Sequence, residues 1–154
     1  MATLYSNQKT KWSQNVPSEK IDTNELSGRV RVAFADITLA SASISDVVEF
    51  VNLPNGARLL DGYLTNATLG ASTTLSVGYA SHKNAAGTTV AASASAYLAA
   101  TSTASPARTD ILATIALGAG SVVDANQDGL PITATLAGGT ASGVVQIAIR
   151  YVVD

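Results

Sequence analysis

The sequence predicts an all-β chain folded as an antiparallel β-sandwich, and three observations carry that prediction. Apolar residues recur at every second position in several short runs, clusters of Pro, Asn, Gly and Ser separate those runs, and no stretch carries a helical apolar stripe. About eight strands result, for which a jelly roll is the natural form. A seven-strand immunoglobulin-like sandwich is the alternative, although its Cys–Trp–Cys pattern is missing from a chain without cysteine.

Residues 1–27 differ in composition from everything after them. Asn, Gln, Ser and Lys dominate, and Lys9, Lys11, Glu19, Lys20, Asp22 and Glu25 crowd charge into the segment. No periodicity holds there, yet Leu4, Tyr5, Trp12, Val16, Ile21 and Leu26 are present, and Trp12 is the one Trp of the chain. A segment meant for solvent rarely holds such a side chain. We read residues 1–27 as an extended N-terminal arm and residues 28–154 as the sandwich. The aromatics of the arm either anchor into a partner or fold back over the open end of their own sandwich. Two anchors are too few to order an arm this long, so a fully ordered arm must also hydrogen-bond, most simply by adding a strand to a neighbouring sheet edge.

Gly28 opens the folded part. Val30, Val32 and Phe34 face one way, Arg29, Arg31 and Ala33 the other, and Ile37 and Leu39 continue the run, which reads as a strand with one wet face. Ala40 to Ser45 is a loop of small residues. Asp46 to Ala80, on which the rest of the chain is organised, reads as strand, tight turn, strand, loop, strand. Val47, Val48, Phe50, Val51 and Leu53 run into Pro54-Asn55-Gly56, and Leu59, Leu60, Tyr63 and Leu64 run out of it, a hairpin signal. Beyond the polar break at residues 66–73, Leu75, Val77 and Tyr79 alternate with Thr74, Ser76 and Gly78.

Residues 81–87 form a polar loop and Thr88 to Val90 a weak strand. Ala91 to Ala107 is almost wholly Ala, Ser and Thr around Tyr97 and Leu98, and we expect a long loop with one helical turn or an edge strand. Asp110 to Leu117 reads as a strand with Ile111, Ala113, Ile115 and Leu117 on one face, followed by a turn-rich excursion to Gly129. A second hairpin ends the chain: Ile132, Ala134 and Leu136, a turn at residues 138–143, then Val145, Ile147, Ile149, Tyr151 and Val153 inward. Slipping that last strand by one residue would expose all its apolar side chains and bury Gln146 and Arg150.

Composition narrows the function. With 154 residues the chain buries a core without staples, and the lack of cysteine removes disulfides, thiolate nucleophiles and Cys-ligated metals. A formal charge of -2 gives no basic field for nucleic acid. Charged residues make up 13%, against ~25% for ordinary soluble domains, which implies that part of the surface is covered by other subunits. Ser and Thr as the source of surface polarity are the plainer explanation. No apolar leader follows Met1, and the longest apolar-leaning run, Ile111 to Val123, is too short to span a bilayer, so we expect a soluble protein with no membrane partner, made without export.

Candidate chemistry is sparse. Asp124, Asn126, Asp128 and Gly129 match the opening of a calcium loop, but Thr135 stands where a bidentate Glu belongs and Pro131 interrupts the approach, so a plain turn is expected and no metal is assigned. His82, the one His, lies between Ser81 and Lys83 with neither an orienting carboxylate nor a nucleophile beside it in sequence. Glu49 and Asp61, on the two strands of the expected hairpin, would form a carboxylate pair or, more commonly, ion pairs with Arg58 or Arg31. No phosphate loop is present and Asn66-Ala67-Thr68 is a glycosylation pattern only, so neither a catalytic residue nor a cofactor is assigned.

Several segments together resemble the small decoration, or cement, proteins of tailed-phage heads: Met1–Gln8, Gly28–Ala33, Val48–Phe50, Leu53–Arg58, Asp61–Tyr63, Leu75–Tyr79 and Leu136–Gly143 through to Tyr151–Asp154. The similarity spans nearly the whole chain and its motifs are structural. The resemblance implies a non-enzymatic virion protein, a homotrimer of sandwiches on the outside of an icosahedral shell at three-fold and quasi-three-fold positions. There it would clamp neighbouring major capsid proteins against internal DNA pressure. In that reading Tyr5, Lys9, Lys11 and Trp12 contact the shell or a neighbouring subunit. A carbohydrate- or cell-surface-binding module using Tyr63, Tyr79 and Tyr97 as stacking faces is the rival of a different class, and a hydrolase built on His82 and a loop carboxylate is a third.

Overall fold

The computed structural model describes residues 6–13 and 28–153. Among them a short helix, α1 (Asn7–Ser13), precedes ten strands: β1 (Val30–Ala42), β2 (Val47–Leu53), β3 (Arg58–Asn66), β4 (Thr74–Tyr79), β5 (His82–Lys83), β6 (Thr89–Val90), β7 (Ser93–Ser102), β8 (Ala107–Ile111), β9 (Leu130–Ala137) and β10 (Ala141–Val152). Eight of them form two four-stranded sheets, ordered β1-β10-β3-β8 and β2-β9-β4-β7, with β5 and β6 as a small separate ribbon. All pairings are antiparallel.

The pairings β1 with β10, β2 with β9, β3 with β8 and β4 with β7 fall alternately in one sheet and the other. The chain is therefore one long four-strand run laid against a second and rolled into a sandwich, which is the jelly roll. Leu53, Leu64, Leu75, Val77, Ile132, Leu136, Val145, Ile147 and Ile149 fill the space between the sheets.

Both expected hairpins are corners between sheets. Leu53 at the end of β2 pairs with Leu130 in one sheet, while Arg58 at the start of β3 pairs with Val152 in the other. The turn itself is present: Ala57 N–H donates to the Pro54 carbonyl (3.2 Å) and Gly56 sits at φ 76°. Its outer groups bond elsewhere, however, with Gly56 N–H donating to the Val123 carbonyl and the Asn55 side chain accepting from Ala125 N–H. Likewise β9 lies beside β4 and β10 beside β1 and β3, so the turn at residues 138–143 also changes sheet. Turn residues report that the chain reverses, not which ladder it joins.

β1 corrects a second expectation. Its pairing with β10 runs without a shift from Val30 to Leu39, so only one parity of side chains faces the core. Ile37 and Leu39 take that face, with Ala33 and Ala35, and Val30, Val32 and Phe34 are left 58%, 60% and 56% exposed on the outside.

Of the two forms expected within residues 91–107, the edge strand is the one present: β7 runs ten residues and takes up most of what was expected to be loop. A Cβ at Gly78 would overlap the Ser93 carbonyl oxygen, so glycine on β4 lets the β7 backbone close in. The strand expected over Asp110 to Leu117 stops at Ile111. Leu112, at φ 57°, turns inward and is buried, and Thr114 caps one 3-10 turn at Ile115–Leu117, on which Ile115 is 88% exposed. In the segment 1–27, expected to be extended, residues 7–13 are instead helical, with Ser6 Oγ accepting from Lys9 N–H (3.2 Å) at the helix start.

Candidate functional site

The two outer faces of the sandwich differ sharply in chemistry. On the β4 and β9 side, Thr74, Ser76, Gly78, Thr133 and Thr135 face outward in paired register, and none is large. On the β1-β10-β3-β8 side, the register sets Phe34, Ala148, Tyr63 and Asp110 in one row across four strands. A second row holds Val32, Arg150 and Asp61, and a third holds Asp36, Gln146, Thr65 and Arg108. These are strand positions of one parity, so the alternation that puts Val145, Ile147 and Ile149 in the core puts Arg150 and its neighbours outside.

Arg150 and Asp61 form a bidentate pair, Nε to Oδ1 at 2.5 Å and Nη2 to Oδ2 at 2.6 Å. The hydrogen bond to the carboxylate, then its charge, raises the pKa of the guanidinium. The Arg108 guanidinium carbon lies 3.8 Å from the centroid of the Tyr63 ring, a cation–π contact. Between Phe34 and Tyr63, Ala148 is only 3% exposed although it points outward. A shallow concavity of about 510 Å³ opens beside these groups, lined by Asp61, Tyr63, Arg108, Asp110, Ala113 and Ala119. Tyr, Arg and Phe on a flat strand surface are the side chains that anchor protein contacts. Nothing in this arrangement supplies a nucleophile with a base.

Asp61 therefore pairs with Arg150 on β10 and not with Arg58 or Arg31, and it forms no carboxylate pair with Glu49. Glu49 lies opposite Thr133 in the other sheet. Arg58 donates from Nη1 to the Gly120 carbonyl (2.9 Å). Asp61 meets Arg150 because β3 joins β10 in one sheet while β2 joins β9 in the other, and the outward parity of Arg150 on its strand is the sequence signal for that partner.

His82 places Nδ1 3.1 Å from the Ala80 carbonyl and stands edge-on to the Tyr79 ring at 5.4 Å. Tyr79 in turn contacts Tyr97 at 5.9 Å. Tyr97 is 6% exposed, and burial, with Tyr79 adding to it, pushes its phenol up to about 12. Tyr63 lies on the other sheet under Arg108, so the three tyrosines do not share one stacking platform. The Asp124 to Asp128 loop is a structural turn: Asp124 Oδ1 accepts from Ala85 N–H, Asn126 Nδ2 donates to Asp128 Oδ2, and Asp128 N–H returns to Asn126 Oδ1. Among the described residues no three His, Asp or Glu side chains gather as a metal site. Of the arm residues, Lys9 is exposed and Lys11 half-buried on α1, two positions apart and so on different sides of the helix, Trp12 belongs to the same helix, and Tyr5 lies outside the described residues.

No protein-family model matches the chain, and neither does any curated protein. Solved structures do match. A chain in the capsid of Ralstonia phage GP4 is 21% identical over 82% of this chain and 86% of its own, with a TM-score of 0.64. A chain in the capsid asymmetric unit of cyanophage Pam1 gives the same identity and coverage with a TM-score of 0.60. A chain in the acid-stable capsid of the Helicobacter pylori bacteriophage KHP30 is 16% identical over 80% and 87%, with a TM-score of 0.52. The likeness is one of fold, and it extends over nearly the full length of both partners in each comparison.

Proposed function

We propose that this chain is a structural virion protein, a decoration or cement subunit that binds the outside of an icosahedral phage head. There it stabilises contacts between major capsid proteins. The observation that carries the reading is the jelly-roll likeness, over about four fifths of this chain, to chains of similar size in three phage capsid structures. Two features of this chain agree with it. Its charge content of 13% suits a protein whose surface is shared with other subunits, and its outer faces are one-sided, with aromatic and guanidinium groups gathered on one sheet.

In this reading the role is mechanical rather than catalytic. Three sandwiches associate as a homotrimer, and residues 1–27 serve as the arm, with Tyr5, Lys9, Lys11 and Trp12 meeting the shell or a neighbouring subunit. Individual contacts need not be strong, because many copies on a lattice raise the effective concentration of each.

The test is cosedimentation of the purified chain with expanded phage heads that lack it, using the full chain and a form without residues 1–27. Binding by the full chain and loss of binding by the shortened one, with unchanged circular dichroism, is the expected result. Failure of the full chain to bind overturns the proposal, and unchanged binding by the shortened form removes the arm from it. Light scattering of the full chain reads the trimer directly.

A further inference from the structure

A cavity of about 250 Å³ lies where the β5-β6 ribbon meets the sandwich, apart from the β1-β10-β3-β8 face. Buried Tyr97, Val123 and Leu130 form its floor, half-buried Tyr79, His82 and Val90 its wall, and exposed Ser121, Val122 and Asp124 its rim. Tyr97 is more than nine-tenths buried, yet its hydroxyl makes no hydrogen bond among the described residues. A buried phenol normally finds a partner, so a hydroxyl left open at the floor of a cavity points to a ligand there.

The other polar side chains around the cavity share one property: their protons are already committed. The Ser121 hydroxyl donates to the Gly118 carbonyl at 2.7 Å, so its Oγ presents only lone pairs. His82 Nδ1 lies 3.1 Å from the Ala80 carbonyl, which can only accept, so the neutral ring carries its proton on Nδ1 and leaves Nε2 an acceptor. Asp124 Oδ1 accepts from Ala85 N–H at 2.9 Å, and its Oδ2 has no partner among the described residues. No Lys or Arg lines the cavity, and the Lys83 ammonium donates to Thr89 Oγ1 on the ribbon.

We propose that this cavity binds a primary ammonium or guanidinium group carried on an alkyl stem. Such a head brings donors and no acceptor, which is the complement of Ser121 Oγ, His82 Nε2 and Asp124 Oδ2. The Asp124 carboxylate supplies the opposite charge, and the rings of Tyr79 and Tyr97 favour a cation over a neutral donor. Val90, Val122 and Leu130 give the stem an apolar wall. An anion would meet Asp124, and a sugar hydroxyl would bring further acceptors to groups that can only accept. A free amine and the Lys or Arg side chain of another protein share this chemistry. The site requires neither a shell nor a trimer, so it stands apart from the decoration reading.

The test is amide NMR of the full chain titrated with n-butylammonium, ethylguanidinium, neutral n-butanol and methyl glucoside. Both cations should shift the amides of Val90 and Ser121–Asp124, with the two neutral probes about tenfold or more weaker. A Gly-Ser peptide with one central Lys or Arg identifies the source: tighter binding than the free cation assigns a protein side chain, and equal or weaker binding a free amine. Asp124→Asn, which keeps an oxygen for Ala85 N–H, should weaken cation binding about tenfold or more, and Val122→Arg, which sets a cation at the rim, should do the same. Asp128→Asn makes the same charge change on the same loop but outside this cavity, and should leave binding unchanged. No shift with either cation, equal binding of a neutral probe, or equal effects of Asp124→Asn and Asp128→Asn would each overturn the proposal.

Discussion

The hydroxyl of Thr103 donates to the hydroxyl of Thr73 at 2.8 Å, and Thr73 passes its own proton to the Gly70 carbonyl at 2.8 Å. Both residues are essentially inaccessible, at 0% and 1%. Their backbones are bonded too, Thr103 N–H to the Thr73 carbonyl and Leu69 N–H to the Thr103 carbonyl, so the relay ties the loop after β3 to the end of β7.

The relay is directional, and its two ends should not cost the same. Thr103→Val removes one donor and strands nothing, a loss of about 0.5–1.5 kcal/mol. Thr73→Val leaves the buried Thr103 hydroxyl without its acceptor and should cost about 1–3 kcal/mol. Chemical denaturation of both variants checks the order, and equal losses would contradict the donor assignment.

The close approach of β7 to β4 makes Gly78 intolerant of a side chain. Gly78→Ala drives a methyl into the Ser93 carbonyl, and we expect destabilisation of about 1–3 kcal/mol with disruption at that edge. Hydrogen exchange should rise first in β7.

The outward turn of the β1 apolar row predicts a contrast between two apolar substitutions. Phe34→Ser should change the stability of the isolated chain by no more than about 0.5 kcal/mol, because its ring is already half in solvent. Ile149→Ala, at 1% exposure on β10, should cost about 2–5 kcal/mol. Melting curves at low protein concentration distinguish them.

Tyr97 gives a pH signature. Its folded-state pKa, pushed up to about 12, lies above the ordinary value of 10.0, so the folded chain holds this proton more tightly than the unfolded chain does. The stabilisation is complete below pH 10 and is lost as the pH rises toward 12. Absorbance at about 295 nm should show one of the five tyrosines ionising late, and Tyr97→Phe should remove that late phase.

Much of the fold was legible in local pattern. The period-two runs around Val77, Ile132 and Ile147 named real strands, and the Pro54-Asn55-Gly56 cluster named a real reversal. The Ala-rich β7 was not legible, because small residues carry no periodic signal and their fitness for this edge depends on the backbone approach at Gly78. Of the candidate face, Arg150 was readable as an outward residue. Its partner Asp61 and the stacking of Arg108 on Tyr63 were not, since these contacts cross between strands far apart in sequence.

The class of fold, an antiparallel sandwich of about eight strands, is written in local pattern, because side-chain alternation and turn chemistry are properties of neighbouring residues. Which sheet each strand joins, which parity of β1 faces the core, and hence that Val30, Val32 and Phe34 lie outside, follow from long-range packing alone. Alternation divides a strand into two faces without saying which is buried. That choice belongs to the partner strands, and here the unbroken register with β10 gave the inner face to Ile37 and Leu39.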